Sequence, residues 1–132
     1  MRLTKKDFEN IQKLIELSEL DFEAQQRKIA KRRRESGETF GFMSAKELSE
    51  SFNDPELNRA LDFIETLSWE QKKKYGAVMY AGREVSEGVK PSKKLFDSFN
   101  NATGGYQLSS KALLHEYLTE GLKAYKKVKE AE

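Results

Sequence analysis

Residues 77–81, Ala-Val-Met-Tyr-Ala, are apolar on every side of a helix, and this short run constrains the fold more than any other feature. A surface helix shows an apolar stripe and a polar back, whereas one that is apolar all round has to be enclosed by other helices. The run sits inside a longer segment with helix signals at both ends. Ser68-Trp69-Glu70-Gln71 has the form of a capping box, and Gly82 reads as a helix end. The expectation is a near-central buried helix over residues 69–82, with Gly76 marking the close approach of a neighbour.

Around this centre lie further amphipathic segments. Thr4 reads as the cap of a first helix with Asp7 in its first turn, and Phe8, Ile11, Leu14 and Ile15 recur at helical spacing. Past Leu20 the stripe thins to Phe22 and Ile29. The first half of this long N-terminal helix is therefore expected to dock, and residues 23–43 to form a projecting or flexible basic arm. Phe8, Ile15, Phe22 and Ile29 fall seven apart, but the companion line of Ile11, Ser18, Gln25 and Arg32 is mostly polar, which argues against a coiled coil. Ser44 to Glu47 forms a second capping box before a short helix reaching Phe52. Asp54-Pro55 opens another, carrying Leu57, Ala60, Leu61, Ile64 and Leu67. Val85 to Lys90 reads as a linker. Pro91 starts a helix with Leu95, Phe96 and Phe99 inward, and Asn100 to Gly105 reads as a loop. Ser109 or Ser110 is expected to cap the last helix, which buries Leu114, Leu118, Leu122 and Tyr125. No strand pattern or internal repeat is present. These segments define an all-α fold: a single compact bundle of about five or six helices over residues 1–132.

Four short motifs stand in order along this scaffold: Asp54-Pro55, Glu70-Gln71, Gly82-Arg83, and Tyr117-Leu118-Thr119-Glu120-Gly121-Leu122. In their order and spacing the chain resembles a family of small bacterial proteins, domain of unknown function 3775. The resemblance covers roughly residues 54–125, with weaker agreement from Leu3 to Leu20. It implies a helical fold with an N-terminal helix and carries over no catalytic residue. Between the first helix and Asp54 the family pattern is acidic and loose, whereas this chain is strongly basic around Arg32.

Composition removes several classes of function. There is no cysteine, which excludes disulfides, thiolate metal sites and a cysteine nucleophile. No stretch approaches the roughly 18 apolar residues of a membrane span. No apolar leader follows Met1-Arg2-Leu3, so a cytoplasmic protein without membrane attachment is expected. The net charge of +2 conceals a segregated segment. Glu16, Glu19, Asp21 and Glu23 are followed by Arg27, Lys28, Lys31, Arg32, Arg33 and Arg34, with no acid among the six.

That basic run is the leading candidate site. On a helix Lys28, Lys31 and Arg32 share a face. Such a rod can neutralise phosphates or meet an acidic protein surface. It can equally be a solvated helix end whose cations suit the C-terminal dipole. Phe40 and Phe42 just beyond it can stack on bases, or fix a loop to the core. Arg83 can clamp an anion bidentately, or tie a helix end to Glu84 or Glu116. His115 is the only histidine, with Glu116 and Glu120 beside it in sequence. That is too little for a zinc site, and no metal or cofactor is expected. No phosphate loop, dinucleotide fingerprint or nucleophile motif occurs.

The function expected is that of a small, non-enzymatic helical interaction protein. It would bind an acidic protein surface or nucleic acid through the basic helix end, and its size and charge would suit a phage- or plasmid-type inhibitor. One alternative is a nucleic-acid-binding transcriptional regulator, with the helix ending at Gly82 and the Pro91 helix as a helix-turn-helix. A second is an enzyme using Arg83 and His115. A homodimer through the Leu3–Ile29 helix would give its apolar stripe a partner.

Overall fold

The computed structural model describes residues 1–36, 54–102, 108–109 and 113–131. Among these the fold is all-α, with five α-helices and no strand. They are α1 (Lys5–Ser36), α2 (Arg59–Glu65), α3 (Trp69–Ser86), α4 (Lys93–Asn101) and α5 (Leu114–Glu130), with a 3-10 turn at Pro55–Leu57. The Ser44 capping box and its short helix, Phe40 and Phe42, residues 103–105 and Ser110 lie outside the described residues.

α3 is the enclosed helix that its sequence requires: Tyr75, Gly76, Ala77, Val78, Met79, Ala81 and Gly82 are all buried. α5 makes the most extensive contact with it, and α4 packs against it as well. α1 runs antiparallel to α5. The Leu3 amide donates to the Tyr125 hydroxyl at 2.9 Å near one end, and the His115 amide donates to Ser18 Oγ at 3.0 Å near the other. Farther along, α1 packs on the 3-10 turn and α2. Ile11, Leu14, Tyr75, Val78, Leu114 and Leu118 form the fully enclosed part of a single core.

The capping box of α3 forms as expected. Ser68 Oγ accepts from the Gln71 amide at 3.2 Å, and Gln71 Oε1 accepts from the Ser68 amide at 2.8 Å. Thr4 and Asp7 make the same reciprocal pair at the start of α1, with distances of 3.2 and 2.8 Å. At α4 the cap is Ser92, whose hydroxyl accepts from the Leu95 amide at 3.1 Å, so the helix begins just after Pro91.

Gly82 does not end its helix. α3 continues to Ser86, taking part of the expected Val85–Lys90 linker into the helix. It stops at Gly88, whose φ of 104° lies in the left-handed region open to glycine. The Gly88 amide donates to the Val85 carbonyl and the Val89 amide to the Glu84 carbonyl, both at 3.0 Å, the bonding of a Schellman end. Gly82 instead lets two helices touch. A Cβ there would stand 1.9 Å from the Tyr117 carbonyl oxygen, and one at Gly121 would stand 2.2 Å from the Val78 carbonyl oxygen. The α3–α5 crossing is thus a backbone contact through paired glycines.

Two further helix starts differ from expectation. Asp54 caps only the 3-10 turn, accepting from the Glu56 amide at 2.9 Å, and Asn58, at φ −128°, separates that turn from α2. α5 begins at Leu114 rather than near Ser109, and Leu113 gives it no side-chain cap. α1 supplies what both starts lack. Asp21 accepts from the Arg59 and Ala60 amides at 3.0 and 2.9 Å, and Ser18 takes the His115 amide. Each side chain stands in for a local cap, satisfying donors that a helix start would otherwise leave orphaned.

Candidate functional site

The basic run lies wholly within α1, so its cations have fixed helical spacing. Three attachments hold this half of the helix. Ala24 is buried, Asp21 caps α2, and Lys28 forms ion pairs with Asp54 and, at 3.5 Å, with Glu56. The segment from residue 24 to 28 is therefore seated on the 54–60 segment. The Asp54 carboxyl is held below its ordinary range chiefly by the Lys28 ammonium, and Lys28 is raised by Asp54 in return.

This seating sorts the six cations. Lys28 faces inward to its carboxylates, and Arg32 is half-buried. Arg27, Lys31, Arg33 and Arg34 are exposed. Lys28, Lys31 and Arg32 do lie three and four residues apart on one side of α1, but Lys28 is engaged by Asp54 and Glu56 and Arg32 is half-buried. The outward line is Arg27, Lys31 and Arg34, spanning about 10 Å of helix. The same outward side of α1 carries Glu9, Glu16 and Glu23 before the cations begin, all exposed.

Toward its start, α1 holds a polar cluster that the sequence did not reveal. Asp7 is only 5% exposed. It accepts from Lys74 Nζ at 2.6 Å and from the Tyr75 hydroxyl at 2.7 Å, and Asn10 Nδ2 donates to the same hydroxyl at 2.9 Å. Burial pushes the Asp7 carboxyl up, but Lys74, the Thr4 amide, Tyr75 and the Thr4 hydroxyl together hold it below its ordinary value. Burial raises the Tyr75 phenol to about 12. Among the described residues, no buried side-chain polar atom lacks a hydrogen-bond partner. The closed network therefore reads as a clamp between α1 and α3. In sequence Asp7 was visible only as a first-turn acid, because its partners lie on another helix.

Arg83 is exposed and pairs with Glu87 one turn on, at 3.6 Å, within its own helix. Among the described residues its ion pair is with Glu87, in place of the expected Glu84 or Glu116. His115 is half-buried, with Nδ1 3.1 Å from Ser18 Oγ and its ring 5.3 Å from that of Phe22. A shallow pocket of about 520 Å³ beside it is lined by Glu19, Ser86, Glu116 and Glu120 among others, but not by Arg83. The structure thus gives the two proposed catalytic side chains separate partners. Among the described residues no group of three or more potential metal ligands converges. Among them also, no helix is long and apolar enough to cross a membrane. The connection from α3 to α4 runs from Glu87 to Ser92, longer than the three- or four-residue turn of a helix-turn-helix. No family model matches the chain, and no curated protein or solved structure matches it.

Proposed function

We propose that this protein is a small helical interaction module, without catalytic activity of its own, that captures an acidic protein surface along the second half of α1. The observation that carries this reading is the exposed line of Arg27, Lys31 and Arg34 on a helix fixed by Asp21, Ala24 and Lys28. A braced helix presents its charges without first ordering a loop, so less conformational entropy is lost on binding. An acidic protein patch suits this line better than a nucleic-acid backbone. Glu23, Glu19 and Glu16 continue the same helix immediately before the cations. A duplex lying along α1 would run from cations into carboxylates, whereas a compact acidic patch need not.

The test is fluorescence anisotropy with a labelled polyglutamate peptide and, in parallel, labelled duplex DNA, each at low and moderate salt. Intact protein is compared with a variant in which Arg27, Lys31 and Arg34 are all changed to Ser. Peptide binding that weakens with salt and is lost in the variant is the expected result. Tighter binding to DNA, lost in the same variant, would replace the acidic-protein reading with nucleic acid. No binding of either probe at low salt would overturn the site altogether.

A further inference from the structure

The outward side of α1 is a single straight line. From Glu9, steps of four and three residues alternate through Glu16, Leu20, Glu23 and Arg27 to Arg34, and every one of these residues is exposed. Leu20 is 44% exposed, one of three large apolar side chains so placed among the described residues. Lys13 and Glu23 run against the trend, but read backwards the line sets Glu9 against Arg34 and Glu16 against Arg27.

We infer that two copies of this chain pair antiparallel along the outward side of α1, each copy's basic half lying on the other's acidic half. This inference rests on the reading that the basic face captures acidic groups, and it names those groups as the chain's own. A two-fold axis between residues 21 and 22 maps the line onto itself. It sets Glu9 opposite the second copy's Arg34, Glu16 opposite its Arg27, and Leu20 opposite its Glu23, with the two Leu20 and, equally, the two Glu23 side chains diagonal to each other across the axis. Each contact occurs twice, because a two-fold interface is isologous. A parallel arrangement would set Glu16 on Glu16 and Arg27 on Arg27, so charge alone selects the antiparallel one.

The two Glu23 carboxylates are a like-charge cost of this register, set against four opposite-charge contacts. Lys13 falls opposite the small Ala30, and its ammonium is already drawn 4.9 Å from the Phe63 ring centre. The acidic half of α1 also borders an open groove of roughly 590 Å³, whose apolar lining includes Phe8, Leu17, Leu20 and Leu122. In the paired register residues 27–34 of the second copy cross this groove. There their aliphatic stems can cover its floor while their charged ends reach Glu9 and Glu16. Lys126 lines the α5 side of the groove and, as a like charge, favours seating that arm toward α1.

The experiment is sedimentation velocity on the full chain, from micromolar to sub-millimolar concentration, at low and high salt. Glu16→Arg, Arg27→Glu and the double variant are compared with the intact protein, with circular dichroism as a check on folding. The intact chain should dimerise, more strongly at low salt. Each single change reverses a contact made twice, and should weaken dimerisation by about tenfold. The double variant should recover it, because the swapped charges attract again. A chain monomeric throughout, or single changes without effect, or a double variant as weak as the singles, would overturn the pairing. A monomer that still binds polyglutamate leaves the basic-face reading standing, whereas a monomer that binds neither probe loses both.

Discussion

The two halves of α1 are one continuous helix held in different ways. The first half is held by burial and by a closed polar network: Ile11 and Leu14 lie in the core, and Asp7 gathers Lys74 and Tyr75. The second half buries little beyond Ala24, and is held by side chains reaching from α1 to neighbouring backbone and carboxylates. Burial is thereby concentrated in one half of the element and exposed positive charge in the other. Buried residues of the first half, such as Ile11, Leu14 and Asp7, cannot change without cost to the fold, while the outward cations of the second can.

The largest effect should come from Leu14→Ala, which opens a cavity in the enclosed core. It is expected to cost about 2–5 kcal/mol in urea denaturation. Leu20→Ala, on the same helix but exposed, should fall within about 0.5 kcal/mol when measured on dilute protein. Equal losses at the two positions would break the contrast between inner and outer faces.

Asp7→Asn should come next, at about 3 kcal/mol, because it leaves the Lys74 ammonium beside a partly buried site without its counter-charge. It carries a pH signature as well. The folded chain holds the Asp7 carboxyl below its ordinary value of 3.8. Its contribution is therefore full above that value and is lost as pH falls through the lowered one. Acid titration of stability should be flatter in the variant over that range. An unchanged acid limb would show that the network does not favour the ionised form.

Ser18→Ala and Asp21→Ala remove caps supplied across helices, and each should cost about 1 kcal/mol in thermal or urea melts. The smallest change in stability should follow conversion of Arg27, Lys31 and Arg34 to Ser, within about 0.5 kcal/mol for the monomer. That variant should lose binding all the same. A marked loss of stability would mean these side chains support the fold and are not reserved for a partner.

Where the sequence was legible, the deciding interactions were local. The reciprocal bonds of Ser68 with Gln71 and of Thr4 with Asp7 span a single turn, so residue type and spacing suffice to read them. The same holds for the enclosed run in α3, whose lack of any polar face leaves it only one environment. Gly82 shows the opposite case. A glycine near the end of an apolar run suits a helix end or a close crossing equally well, and only the carbonyl of Tyr117 on another helix decides between them. Likewise the local start signals, Asp54-Pro55 and Ser109 or Ser110, point a few residues too early, because the side chains that satisfy the α2 and α5 starts, Asp21 and Ser18, arrive from α1. The basic run was visible at once, yet which of its cations stay exposed was not. Helical spacing groups cations in several ways, and the carboxylates of Asp54 and Glu56 choose Lys28 as the inward one.

The sequence by itself determined an all-α fold around one enclosed helix and a first helix that is acidic and then basic, because periodicity and charge order are properties of the chain alone. Tertiary structure decided which glycines carry the α3–α5 contact, which helix starts borrow their caps, and which cations remain outside. Each of those outcomes depends on groups distant in sequence meeting within a few ångströms, a distance that no local pattern encodes.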